Sequence, residues 1–152
     1  MVLTSDLIQT DGFSTIITIT GVTDNLFEEA EVTTPSVEAG GKIDMANMRS
    51  PAGWRAAATK KMKSMGDITI KAFWKTSCLS LIMTLVGQPR LYIVTYPDGA
   101  TLTLWAALDS FKPGANKEGE APMADIVITA LLRNPATGAT VAPVYVPGPT
   151  VV

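Results

Sequence analysis

Alternation of apolar and polar positions is clearest between residues 67 and 132, and it predicts β-strands there. In residues 67–75 the apolar positions on one side are Ile68, Ile70, Ala72 and Trp74. A period of two predicts a strand with one face in a core. The β-branched run of residues 14–20, STIITIT, predicts an earlier strand.

Three further strands are predicted around a hairpin. Residues 91–96 and 101–108 flank Pro-Asp-Gly at 97–99, a sequence suited to a tight hairpin loop. Residues 125–132 follow a polar loop at 112–120. In residues 101–108 both alternating sets contain apolar side chains, so we expect the second face to be covered by this chain or by another copy.

One helix is predicted over residues 77–86, with Ser77 as the N-cap and Gly87 as the stop signal. Its buried stripe consists of Cys78, Leu81, Ile82 and Leu85. Residues 134–152 form a C-terminal arm: a turn at 134–138, then a short strand at 142–146 that Pro143 confines to a sheet edge or to the first strand position.

Residues 24–65 have no sustained period and predict a long loop or arm. Acidic residues come first and basic residues follow. The pattern fits a solvated loop, which is the simpler interpretation, or an arm whose acidic half meets the basic half of another copy. A nucleic-acid patch is less favoured because acids lie close by. The candidate contact residues are Glu28, Glu29, Glu31, Met45, Met48, Arg49, Trp54, Arg55, Lys60, Lys61 and Lys63.

Composition narrows the class of protein. The 152 residues predict a single domain, 1–152, and the net charge of −2 gives no reason to expect tight nucleic-acid binding. The single cysteine excludes an internal disulfide, and the N-terminus lacks the features of a signal peptide. No run is long and apolar enough for a membrane helix. We therefore expect synthesis and assembly in a cytoplasm, with no membrane partner.

The sequence contains few of the residues and motifs that enzymes commonly use for catalysis. The absence of histidine removes the commonest general base and metal ligand, so no metal or cofactor is predicted. Glu118 and Glu120 are more simply solvated charges in a glycine-containing loop than a catalytic carboxylate pair. Three classes stay open: a self-assembling structural protein, which is preferred, a small ligand-binding β-barrel, and a carboxylate enzyme.

Several short runs resemble the major tail tube proteins of long-tailed, non-contractile bacteriophages. They are YPDGATL at 96–102 with Trp105, FKPG at 111–114, EGEAP at 118–122, NPATG at 134–138 and APVY at 142–145. Thr34-Pro35, GGKID at 40–44 and Trp54-Arg55 lie where that family has a long loop. The similarity covers roughly residues 30 to 146. Because the sequence ends at Val152, the additional immunoglobulin-like domain that some relatives carry is not expected here.

The resemblance implies a mainly β fold, a sandwich or partly closed barrel with one flanking helix and a long inter-strand loop. It implies six-fold rings stacked into a tail tube for DNA ejection, with the loop reaching the adjacent ring. The implied partners are other copies, tape-measure, tail tip and tail terminator proteins, and DNA in transit. A tail terminator or a secretion-system tube protein shares much of this fold and remains an alternative.

A bore that lets DNA slide should not hold phosphates, so small polar and acidic side chains are expected to line it. The candidates are Thr101, Thr103, Asp109, Asp125 and Thr129.

Overall fold

The structure, a computed structural model, describes residues 15–22, 26–45, 48–49 and 53–148. Its strands are β1 (Ile16–Ile19), β2 (Phe27–Thr33), β3 (Val37–Ala39), β4 (Lys42–Asp44), β5 (Ala57–Thr59), β6 (Lys63–Met65), β7 (Ile68–Trp74), β8 (Pro89–Thr95), β9 (Thr101–Pro113), β10 (Met123–Ala130) and β11 (Val144–Val146). A 3-10 turn at Thr76–Cys78 leads into helix α1, Leu79–Leu85. The predicted mainly β class with one helix is confirmed for this part of the chain.

Seven strands form one antiparallel sheet in the order β1-β8-β9-β10-β7-β2, with β11 paired to the start of β9. The sheet curls into a half-barrel. Its edge strands come together where the backbone N–H of Ile17 donates a hydrogen bond to Oε1 of Glu29 at 3.3 Å. The predicted partly closed barrel is therefore present, with a side chain bridging its seam.

The concave side of the sheet contains the core. In β7 the side chains of Ile68, Ile70 and Ala72 are fully buried and alternate with exposed residues, as the period of two predicts. Neighbouring strands and the helix complete the core with Ile19, Leu26, Ile82, Leu85, Tyr92, Val94, Leu104, Ala106, Leu108, Ala124, Ile126 and Ile128. These side chains fill the inside of the half-barrel, which leaves its opposite side, here called the outer face, free of the helix.

The predicted helix is present but shorter than predicted, and Ser77 is not its N-cap. Ser77 lies within the 3-10 turn, and the N-cap position belongs to Cys78, which makes no side-chain capping bond. The predicted stripe is confirmed: Ile82 and Leu85 are buried, and Cys78 and Leu81 pack against the core. The helix ends where the N–H of Gly87, at φ 78°, bonds to the carbonyl of Leu108 at 2.9 Å.

The hairpin between β8 and β9 forms as predicted. The N–H of Tyr96 bonds to the carbonyl of Ala100 at 2.8 Å, Oδ1 of Asp98 accepts from the N–H of Ala100, and Gly99 has φ 87°. Positive φ is strained for most other residues, so glycine suits this position.

Several strand boundaries differ from the prediction. The first strand, predicted at 14–20, is observed as Ile16–Ile19. The strand predicted at 125–132 is observed as Met123–Ala130. The predicted loop at 112–120 is wrong at its start, because β9 continues to Pro113 and pairs with β10 there. The composition of Lys112 and Pro113 resembles a loop, but pairing with β10 decides their conformation.

Candidate assembly surface

The described residues of the region predicted as an irregular loop, 24–65, contain regular strands, which corrects that prediction: β2 belongs to the main sheet, and the strands after it pair as a β-hairpin. After β2 the chain continues into two short two-stranded ladders, β3 with β6 and β4 with β5, which form a ribbon here called the arm. The ladders are joined through hydrogen bonds from Gly40 N to Met62 O and from Lys60 N to Gly41 O. The ribbon extends as far as the bond from Met45 N to Ala56 O.

Two contacts fix the base of the arm to the barrel. The N–H of Gly66 donates to the carbonyl of Ser36 at 2.7 Å, closing the ribbon directly before β7. The phenol of Tyr96, at the end of β8, is hydrogen-bonded to the side chain of Thr34. Burial raises the pKa of Tyr96, while the hydrogen bond with Thr34 opposes the rise. The arm therefore starts from a defined position on the sheet.

Large apolar side chains on the arm lie in solvent. Trp54 is 80% exposed, although tryptophan is among the residues with the most apolar surface to bury. Others on the arm are Val37, Ile43, Met45, Met48 and Met62. A two-stranded ribbon has no second layer that could cover both of its faces. Exposed tryptophan and methionine on such a ribbon are typical of a contact surface.

The arm's charges are separated along the sequence but lie side by side in the hairpin. Asp44 on the outgoing strand pairs with Arg55 on the return strand at 3.4 Å, and both side chains are well exposed. An exposed pair of this kind contributes little to stability. The three predicted lysines, Lys60, Lys61 and Lys63, lie on the return strand across from residues 39–41, which are Ala-Gly-Gly.

The three predicted acids of β2 have different surroundings. Glu28 is exposed, and Glu31 lies 4.0 Å from Nζ of Lys71. Glu29 is half-buried and bonds within the subunit, at the barrel seam. Glu28 and Glu31 are therefore accessible to another copy, whereas Glu29 has a role in its own chain. Arg49 and Met48 lie at the distal end of the arm, and Met48 is exposed.

Strand register places four of the five predicted bore residues on the outer face. Asp125 and Thr129 alternate with the buried Ala124, Ile126 and Ile128 on β10. Thr101 and Thr103 alternate with Leu102 and Leu104, which contact the core. Asp109 is exposed at the irregularity of β9, where the pairing with β10 shifts register. The sequence argument thus selected one face, although the residues lie at different ends of it.

Sequence reasoning missed a row of charges across the same face. Glu31 pairs with Lys71, Lys71 with Asp125, and Asp125 with Lys112, in β2, β7, β10 and β9. Adjacent strands lie about 4.8 Å apart, so the four side chains alternate in sign along a line across the sheet. We call Glu31, Lys71, Asp125 and Lys112 the charged row. The row thus places two lysines on the same face as the predicted bore residues Thr101, Thr103, Asp125 and Thr129.

The surface offers little that resembles a catalytic or metal site. Within the described ranges, no group of three or more Cys, Asp or Glu side chains is arranged to hold a metal ion. Glu118 and Glu120 are exposed in the β9–β10 loop. Burial raises the pKa of Tyr92 to about 12, which keeps this core phenol uncharged. The described part of the chain also contains no helix of the length and apolarity needed to cross a bilayer.

Two surface grooves are candidate ligand sites. One, of 340 Å³, is lined by Phe27, Trp74 and Pro122 among others, and one of 400 Å³ lies between Arg90, Trp105 and Pro135. Both open to solvent along the sheet. Because core side chains occupy the barrel interior, the arrangement favours a ligand-binding barrel less than a surface that contacts other proteins.

Comparison with known proteins supports the fold. No protein-family model matches the sequence, and no curated protein is significantly similar to it. Among solved structures, a chain of the virion of a native gene transfer agent particle superposes with a TM-score of 0.62 at 14% identity, covering 91% of this chain and 99% of that one. A chain from the tail of an empty gene transfer agent particle, computed with C6 symmetry, gives a TM-score of 0.58 at 15% identity. That match covers 81% of this chain and 95% of the other. The chain therefore shares its fold with proteins found in virion and tail assemblies.

Proposed function

We propose that this protein is a structural subunit of a virion tail and that it assembles into stacked six-fold rings forming a tube for DNA. The observation that carries the proposal is the fold shared, over 91% of this chain, with a chain of a gene transfer agent virion. The tail chain with the same fold belongs to a particle of C6 symmetry, which supports six copies in each ring. The tube would be assembled in a host cytoplasm and become part of the virion.

The arm supplies the contacts between copies in this proposal. Its exposed apolar side chains have no cover in the subunit, and burying them against a neighbour is favourable by about 25 cal/mol for each Å². Lys60, Lys61 and Lys63 would orient the arm toward acids of the next copy, of which Glu28 and Glu31 are accessible. Tape-measure, tail tip and tail terminator proteins are proposed as further partners, because a tube needs contents and two ends.

Electron microscopy tests the proposal directly. Purified protein at high concentration should form rings or tubes in negative stain, and a persistent monomer would contradict the proposal. Tubes that lengthen with concentration distinguish a tube subunit from a tail terminator, which stops at one ring.

A matched pair of variants tests the arm. Trp54→Ala should raise the concentration needed for assembly by about tenfold or more, since anchor residues contribute over 1.4 kcal/mol. The melting temperature of the free subunit should not change, because Trp54 is 80% exposed. Met83→Ala removes an exposed side chain from α1 as the control. Equal effects of both variants on assembly would show that the arm has no special part in it.

A further inference from the structure

We infer that the charged row faces the bore of the tube and that its carboxylates neutralise Lys71 and Lys112 toward passing DNA. This rests on the proposed function and adds to it a stated surface and a stated ligand, the phosphate backbone of a duplex. The row combines charges from four strands that are distant in sequence but adjacent in the sheet.

The position of the row leaves its side chains accessible from outside the subunit. All four side chains are exposed and lie on the outer face, away from the helix and the core. On one side they adjoin the uncharged line Thr33, Thr69, Val127 and Ser110. On the other side Glu28 adjoins Phe73 and Met123, which adds one more negative charge. The exposed Lys75, two residues beyond Phe73, offsets Glu28, so the net charge of this part of the face is close to zero.

Alternation gives the lysines a neutral environment. Nζ of Lys71 lies 4.0 Å from Oε2 of Glu31, and the strand on its other side places Asp125 directly opposite. Lys112 also has Asp125 as its cross-strand neighbour. Opposite charges that alternate every 4.8 Å or so largely cancel at distances greater than that spacing. A passing phosphate would meet little net attraction, so few counterions are released and the duplex is not held.

The need to avoid repulsion between neighbouring strands explains why the charged row contains lysines. Like charges directly opposite each other on neighbouring strands destabilise a sheet, and four acids in register would repel one another in every subunit. Intervening lysines remove that repulsion while leaving no excess of positive charge. The alternating charges therefore avoid destabilising the sheet and also avoid holding passing DNA.

Removing the acids tests this inference. Glu31→Gln with Asp125→Asn leaves the shapes of the side chains almost unchanged and removes the partners of both lysines. Glu118→Gln with Glu120→Gln is the control, because it makes the same change in net charge within an exposed loop. Binding of a short labelled DNA duplex is measured by fluorescence anisotropy for free subunits and by co-sedimentation for tubes, across a salt series.

The wild type and the control should show negligible, salt-insensitive binding in both assays. The double amide variant should bind, and its affinity should fall about tenfold between about 50 and 200 mM salt, as expected for two phosphate contacts. Adding Lys71→Gln and Lys112→Gln should abolish the gain. An amide variant that binds no better than the control, or a wild type that binds equally well, would overturn the inference.

The two assays separate this inference from the proposed function. If no variant forms tubes, the proposed function fails, while free subunits still show whether the acids neutralise the lysines. If free amide subunits gain binding but their tubes do not, the row does not face the bore, and the inference is overturned.

Discussion

The carboxylate of Glu29 on β2 accepts a hydrogen bond from the backbone N–H of Ile17 on β1, at 3.3 Å. This bond joins the two edges of the curled sheet, which no backbone ladder connects in the described residues. Burial raises the pKa of Glu29, while bonds from its own backbone and from that of Ile17 oppose the rise. A partly desolvated charge therefore closes the seam of the barrel.

The seam should make folding stability depend on pH. Because the pKa of Glu29 is higher in the folded chain than its ordinary value of 4.5, the folded state binds the proton more tightly. The stability that the folded state gains from binding this proton is fully present below pH 4.5, and it is lost as the pH rises through the folded pKa of Glu29. Glu29→Gln retains an acceptor oxygen without the charge, so it should stabilise the protein slightly at neutral pH and have no such benefit below pH 4.5.

Urea unfolding across this pH range measures the effect. Glu118→Gln, in an exposed loop, is the control and should run parallel to the wild type. Glu29→Ala also removes the acceptor, so it should be less stable than Glu29→Gln by about 1 kcal/mol at all pH values. A difference between Glu29→Gln and the wild type that stays constant with pH would mean that this carboxyl has the same pKa in the folded and the unfolded chain.

A charged side chain on helix α1 should destabilise the protein on the side that packs against the core and not on the exposed side. Leu81 packs against the core, so Leu81→Asp would bury a charge without a partner, cost several kcal/mol and give insoluble protein. Met83 is 69% exposed, and Met83→Asp should change stability by less than about 0.5 kcal/mol. Solubility and melting temperature decide the matter: a soluble Leu81→Asp protein with an unchanged melting temperature would refute the packing of this helix.

Reversing the lysines of the arm should block assembly but leave the fold intact. In the triple variant Lys60→Glu, Lys61→Glu and Lys63→Glu, the new acids lie across the ribbon from Ala39, Gly40 and Gly41, so no like charge opposes them there. Acids of a neighbouring copy would repel them within a Debye length of about 8 Å at physiological salt. We expect a normal circular dichroism spectrum and no tubes at low salt, with partial recovery at high salt. Normal tubes at low salt would show that these charges do not direct stacking.

The C-terminal segment should depend on a glycine that has no room for a side chain. A Cβ atom on Gly148 would overlap the carbonyl oxygen of Asp98 in the β8–β9 turn. Gly148→Ala should therefore detach this segment and weaken the pairing of β11 with β9. Hydrogen exchange at residues 144–146 measures the change, with Pro147→Ala, at an exposed position, as the control. Equal protection in Gly148→Ala and the wild type would show that the segment adapts without detaching.

The strands of the barrel were predictable because one of their faces is buried. In β7 the burial of Ile68, Ile70 and Ala72 imposes a period of two that is visible in the sequence. The arm gave no such signal, since each of its strands has three residues and neither face is covered by a core. Alternation reports burial, so a ribbon exposed on both sides resembles a loop in sequence.

The charged row was not predictable for a different reason. Its members come from four strands, and their alignment depends on register shifts between Glu29 and Glu31 and between Val127 and Ile128. A shift of one residue would move a side chain to the other face. The acids at 31 and 125 could be noted in the sequence, but their lysine neighbours emerge only once the strands are paired.

Strand β9 has a mechanical consequence for the proposed tube. Its thirteen residues pair with β8 and β11 over the first part and with β10 over the second, so a single strand spans both parts of the sheet. Tension along its axis loads many backbone hydrogen bonds in shear at once, whereas peeling breaks them in sequence. A wall built from such subunits would be stiff along the direction of β9 and more compliant across it.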